Sequence, residues 1–218
     1  LSETPEKVSR GWDADYNRIC SWVKLRDRQS KKEFFYFNTH LDHMGPVARH
    51  EGAELICRRI ASLAGDKYPV FCTGDFNAEP KDEPIKVMLQ HLASARDVSQ
   101  TPPYDQGSEV SWTGVPVGAM TVTIPEAQRG RQAIDHVFVN GRVDVLKYGL
   151  LRDSDGINYP SDHIPILVRA TPLPIGRDPA PDPQSTQNAT GRYSIGCIFY
   201  IPDAPLPFCA KNIRLPYF

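Results

Sequence analysis

Three consecutive stretches change their hydrophobic period from two to about 3.6 and back, and this constrains the fold more than any other feature of the chain. Phe34-Phe-Tyr-Phe-Asn-Thr-His-Leu41 reads as an aromatic-rich strand, whose period of two sends Asn38 and His40 to one face and Phe37, Thr39 and Leu41 to the other. Arg49 to Ala64 carries apolar residues at 53, 55, 56, 60 and 63, the stripe of an amphipathic helix, and Gly65 closes it. Tyr68 to Thr73 is a short apolar run ending at Gly74, which reads as a buried strand. Arg18 to Leu25 reads as a further, half-buried strand. Asp82 is placed to cap a helix through Leu92 with Pro84 in its first turn. Gln132 to Val139 and His163 to Arg169 complete the strands, with pairing at Val143 to Leu151 between them. Such alternation requires a layered α/β domain. The 95–131 connection is too long and irregular for tidy βαβ units, so the expectation is a mixed sheet or two packed sheets.

Composition enters mainly through what it excludes. With 25 Lys+Arg against 26 Asp+Glu the formal net charge is −1, which argues against a general polycation held to nucleic acid by bulk charge. No run approaches the roughly 18 apolar residues that cross a bilayer. Five widely spaced cysteines (Cys20, Cys57, Cys72, Cys197, Cys209) contain no C-x-x-C pair, which speaks against a zinc ribbon or a dense disulfide framework. The first three read as small buried hydrophobes, and cysteine usage leans towards a reducing, cytoplasmic compartment. Nine of the 20 prolines lie in the last 48 residues. We expect a domain over 1–171 and a Pro-rich tail over 172–218, within which Tyr193 to Tyr200 reads as a short strand.

Four segments place acid, amide or imidazole groups at expected strand ends: Asn38-Thr-His40-Leu-Asp42, Gly74-Asp75-Phe-Asn77, Ile134-Asp135-His136 and Ser161-Asp162-His163. A rigid sheet holds loops there, and an unpaired charge against apolar strands is costly, so these groups call for partners or an ion. Carboxylate and amide oxygens with neutral imidazoles suit Mg²⁺ or Mn²⁺, cations that complete their shell with water and substrate phosphate. Other matches carry less. His50-Glu-Gly-Ala-Glu54 lacks the second histidine of a zinc-protease helix. Asp42 reads as a support of its loop, and His43 and His136 as bystanders, with His136 on the face opposite Asp135. Arg129, Arg131 and Trp112 are minor candidates for substrate contact.

Thr39-His40-Leu41-Asp42, Gly74-Asp75-Phe76-Asn77, Ile134-Asp135-His136-Val137 and Ser161-Asp162-His163 stand in the order of the endonuclease/exonuclease/phosphatase superfamily, which the chain resembles over about residues 1–170. The opening Ser2-Glu-Thr-Pro and Gly11-Trp-Asp resemble the mid-domain stretch of its bacterial-type members. The resemblance implies a DNase I-like four-layer α/β/β/α sandwich (class α/β, or α+β). It implies divalent-metal-dependent hydrolysis of phosphate esters, the substrate being a nucleic acid, nucleotide, phosphoinositide or phospholipid headgroup. Asp75 resembles the carboxylate that binds or orients the metal or attacking water, and Asp162 the metal-side carboxylate. Asn77 and His40 resemble the groups that hold the phosphate, Asp135 the residue that fixes the His40 tautomer, and His163 the general base or phosphate contact. The family's opening strand with its Asn, and the helix-borne metal Glu, have no counterpart here, so the sequence reads as truncated ahead of Leu1. Two alternatives stand beside the enzyme: a catalytically incomplete or binding relic of the fold, and an unrelated metal hydrolase in which His40, Asp75, Asp135 and Asp162 share no pocket.

Overall fold

The computed structural model describes residues 1–103, 133–151, 163–175 and 194–197. Its elements are β1 (Cys20–Arg26), β2 (Glu33–His40), α1 (Pro46–Leu63), β3 (Val70–Asp75), α2 (Glu83–His91), β4 (Ala93–Ser94), β5 (Asp135–Val139), β6 (Val143–Leu150), β7 (Ile166–Pro172) and β8 (Ser194–Cys197). Five strands form one sheet in the order β1-β2-β3-β5-β4, and three form a second in the order β6-β7-β8. β2 and β3 run parallel, joined through α1, whereas β1, β5 and β4 pair antiparallel. This is the mixed α/β architecture expected, built on two sheets.

Period two divides the large sheet into two apolar faces. Phe35, Phe37, Val70, Cys72 and Phe138 face α1 and α2, where Ile56, Ile60, Ile85 and Met88 complete one core. Phe71, Val137 and Val139 face the small sheet, where Val145, Tyr148, Ile166 and Val168 complete the other. The described residues therefore fill three layers of the expected sandwich: helices, sheet, sheet.

The α1 helix begins three residues earlier than its apolar stripe because Pro46, with its fixed φ and no N–H to lose, occupies the first turn. Its cap, Gly45, has no side chain to satisfy the free N–H groups. Asp13 does so from a distance, accepting from Val47 N at 3.2 Å and Ala48 N at 2.7 Å. Asp82 does precede α2, yet its carboxylate accepts from Glu79 N at 2.8 Å rather than from the helix.

One expectation changes. β1 is not half-buried: its residues after Cys20 are exposed on both faces, including Trp22 at 47% and Val23 at 45%. It is the edge strand, and neither the helices nor the small sheet reach far enough to cover it. The strand expected within Tyr193 to Tyr200 forms over Ser194–Cys197 and pairs antiparallel with β7. Cys57 and Cys72 are buried free thiols, Cys20 is half-buried, and burial pushes the Cys57 thiol up to about 12.

Candidate active site

The site is created by strand register. His40, the last residue of β2, lies opposite Asp75, the last of β3, and Asp75 lies opposite Asp135, the first of β5. Paired residues on neighbouring strands point to the same face, so the three side chains form a row across the sheet end, towards the second sheet. One step down the same face, Asn38 Nδ2 donates to Thr73 Oγ1 at 3.0 Å, and Thr73 Oγ1 donates to Tyr36 Oη at 3.0 Å. This polar floor separates the row from the apolar core below.

His163 arrives from the other sheet, three residues before β7. Its Nδ1 lies 2.8 Å from Asp135 Oδ2, and its Nε2 lies 3.8 Å from Asp75 Oδ2. Asp135 is fully buried, so its carboxylate fixes the ring and its tautomer: Nδ1 carries the proton and donates, leaving Nε2 to face Asp75. This corrects the expected pairing. Asp135 orients His163, and His40 instead faces Asp75, with Nε2 3.4 Å from Asp75 Oδ2.

Burial and the neighbouring Asp135 charge push the Asp75 carboxyl up to about 7. Burial, with Arg18 and His163 nearby, pulls His40 down to about 4, so its imidazole is neutral at pH 7. Two carboxylates forced together in a partly dry pocket are a site that a cation would relieve. Donor atoms of Asp75, Asp135 and His163 all lie within 4.8 Å of one another. Two carboxylates beside one imidazole offer the hard oxygen ligands that Mg²⁺ or Mn²⁺ take. Asp162 lies outside the described residues, as do Trp112, Arg129 and Arg131.

Gly74 makes the row geometrically accessible. Its φ is +151°, and a Cβ there would stand 1.9 Å from Thr39 O, so only glycine lets β2 and β3 approach so closely at this end. Asn77 follows in a left-handed conformation (φ +47°) that asparagine tolerates. Its N–H donates to Asp75 Oδ1 at 2.8 Å and its Nδ2 to Leu41 O at 3.0 Å. One side-chain amide proton serves the loop, and the second remains for a ligand.

Asp42 is the loop support expected of it. Oδ1 accepts from Met44 N and Gly45 N, and Oδ2 from Tyr16 N and Arg18 Nε. Burial alone would raise this carboxyl, but the backbone N–H groups of Gly45, Asp15, Met44 and Tyr16 hold it well below the usual range. His136 donates from Nε2 to Ala78 O, 2.8 Å away, and packs against Phe76 and Phe138, on the face opposite Asp135. Arg18 was passed over in the sequence because nothing in its local pattern marks it. Its role depends on a hairpin that returns it to the end of β2.

Comparisons with known proteins agree with this geometry. Residues 4–163 match the Endonuclease/Exonuclease/phosphatase family. An endonuclease/exonuclease/phosphatase family protein from Bacteroides thetaiotaomicron is 30% identical, with a TM-score of 0.62 over 77% of this chain and 60% of that one. A mannosyl-6-phosphatase from the same organism is also 30% identical, with a TM-score of 0.63 over 78% of this chain and 63% of that one. Nocturnin of Drosophila melanogaster is 34% identical over 84 residues, 36% of this chain and 13% of its own length. The chain thus spans a little over three-fifths of these solved structures and a small part of the curated relative. A match across most of the sequence, on a fold whose strand ends gather the matching motifs, shows that the chain belongs to the Endonuclease/Exonuclease/phosphatase family.

Proposed function

We propose that the protein hydrolyses phosphate esters with the help of Mg²⁺ or Mn²⁺, at the pocket between the two sheet ends. The observation that carries this reading is the register row His40–Asp75–Asp135 completed by His163 from the opposite sheet. Family members act on phosphate esters, and one of the similar structures is a mannosyl-6-phosphatase.

In this reading Asp75 holds the cation, with Asp162 as a second carboxylate. When bound, the cation neutralises charge on the phosphoryl oxygens and favours ionisation of water. Neutral His40 donates one ring N–H to a phosphoryl oxygen, and the free amide proton of Asn77 reaches another. His163 Nε2 takes a proton from the attacking water while Nδ1 keeps its bond to Asp135, which stabilises the imidazolium that forms. The water oxygen bonds to phosphorus, the ester P–O bond breaks, the departing alkoxide takes up a proton from solvent, and His163 returns its own proton to solvent. The substrate class is a phosphomonoester or phosphodiester. The cytoplasmic setting and the division at residue 171 belong to the same reading.

A second reading, a remnant of the fold that binds phosphate without turning it over, draws on β1, whose two faces are both open. One assay separates the two. Incubating the chain with para-nitrophenyl phosphate and its bis ester should release nitrophenol with Mg²⁺ or Mn²⁺ and stop with EDTA. Equal release with EDTA, or an unchanged rate in Asp75→Asn, would overturn the metal-dependent reading. Binding of phosphate without release would favour the remnant.

A further inference from the structure

The strand that brings His163 to the pocket is held on one side by a segment from far along the chain. His163 stands at the leading end of β7: Ile164 beside it is buried in the inter-sheet core, and Leu151 N donates to Pro165 O at 2.9 Å. On one side β7 pairs with β6 along its whole length, from Ile166 opposite Leu150 to Pro172 opposite Val143. On the other it pairs with β8, through Ile166–Cys197, Leu167–Gly196, Val168–Ile195 and Arg169–Ser194. These rungs cover the end of β7 nearest His163. Among the described residues no strand pairs with that edge beyond Arg169.

β8 and the edge it occupies are unequal partners. β8 is four residues long, contains Gly196, and lies 18 residues beyond Ile175 in the chain, three of the 18 being proline. A short strand interrupted by glycine makes few contacts, and closing the intervening loop costs conformational entropy. β7 has seven residues, with Ile166, Val168 and Ala170 buried and its single proline at the far end, at Pro172. Without β8, its N–H and C=O groups would form a regular edge, a template for an extended segment. A weak strand on a strong acceptor is the condition for exchange. The rungs at stake lie beside the backbone that aims His163 Nδ1 at Asp135 Oδ2, 2.8 Å away, across to the other sheet.

We propose that Ser194–Cys197 is an exchangeable clamp strand. Docked, it holds His163 in line with Asp135; displaced, it leaves on β7 an acceptor edge for an extended peptide segment. It is a positioning element and touches no reacting atom. Strand exchange stands apart from the phosphate-ester reading, whereas its consequence for turnover rests on that reading.

The test uses the full chain, as wild type and as the double variant Ile195→Pro/Gly196→Pro. Consecutive strand residues aim their N–H groups to opposite sides, so one of the two substitutions removes a donor to β7. The probe is a synthetic peptide of residues 192–199. Imidazole nitrogen-15 spectra of the metal-free protein read the His163 tautomer, and hydrogen exchange reads the amides of β7 and β3. The variant should lose the Nδ1-protonated signature of His163 and exchange its Leu167–Arg169 amides about tenfold faster or more, the scale of one lost hydrogen bond, with β3 unchanged. The peptide should reverse both changes, and a peptide carrying both substitutions should reverse neither. Unchanged exchange in the variant overturns the clamp, as does faster exchange with an unchanged tautomer. A wild-type peptide that acts no better than the substituted one overturns the acceptor edge. Loss of β3 protection would mean that the variant fails to fold, and the wild-type chain then decides: saturable binding of fluorescein-labelled peptide upholds exchange, and no binding sinks it. Tautomer and peptide results as expected, in a chain that releases no nitrophenol, uphold the clamp and overturn only the hydrolase reading.

Discussion

Asp42 and Asp75 are the same residue type at the ends of adjacent strands, both buried, yet their surroundings drive them in opposite directions. Asp42 is surrounded by N–H donors on both oxygens, with Arg18 beside it, and its carboxyl is held well below the usual range. Asp75 has one backbone N–H, from Asn77, and a second carboxylate as neighbour, and its carboxyl is pushed up. Burial penalises both charges. What differs is how many donors answer it. Asp42 is a finished structural knot, and Asp75 is left wanting a cation. A functional carboxylate is thus distinguished by what its surroundings omit.

The largest expected effect of breaking this contrast is on turnover. Asp75→Asn should lower phosphate-ester hydrolysis on the order of a thousandfold, matching the several kcal/mol of charge stabilisation a catalytic cation supplies. The same variant, free of metal at pH 8, should melt no lower than wild type, because it removes a charge the fold disfavours. A lower melting temperature would show that Asp75 supports the fold as Asp42 does. Asp42→Ala should behave in the opposite way, destabilising the protein by about 3 kcal/mol in urea unfolding, since it leaves buried N–H groups and Arg18 unanswered. A loss within error of zero would erase the distinction.

The pH dependence sharpens the comparison by sign. In the native protein the Asp75 carboxyl is pushed up to about 7 from 3.8, so the native state binds its proton more tightly, and metal-free His40→Gln separates this group from the titration of His40. Stability should be greatest below pH 4 as far as this group is concerned, and decline as pH rises through 7. In the native protein His40 is pulled down from 6.5 to about 4, and metal-free Asp75→Asn separates it from the titration of Asp75. Its contribution is present above pH 6.5 and is lost as pH falls towards 4. Urea unfolding of the two variants from pH 4 to 8 should therefore give slopes of opposite sign between pH 4 and 6.5. Smallest is the effect of Asp13→Ala, a third aspartate that, like Asp42, serves only N–H groups. Loss of its two bonds to the start of α1 should cost about 1 kcal/mol, read as a lower melting temperature.

Much of this was legible in the residues themselves. The pattern over 34–41 yields β2 to within a residue, and the stripe over 49–64 yields α1 apart from its Pro46-led first turn, because those elements bury the face that their own pattern defines. β1 has an equally apolar pattern, but its burial depends on which elements lie beside it, and no local signal reports that. The members of the site were legible for the same reason as β2: each abuts an apolar strand, His40 and Asp75 at the end of one, Asp135 at the start of one and His163 just before one. Their pairing was not. Whether Asp135 meets His40 or His163 is decided by sheet register and by how two sheets stack, quantities that no single segment encodes. Arg18 was hidden for a related reason, since its position next to Asp42 exists only after the β1–β2 hairpin closes.

His163 and Asp75 belong to different sheets, and the side chains of the inter-sheet core pack between those sheets. The pocket is therefore a gauge of quaternary-like docking inside one chain. Any change that slides one layer by an ångström, even at Val168 or Val145 far from a reacting atom, would misalign proton acceptor and carboxylate while leaving every strand intact. Activity should then fail before secondary structure does on heating.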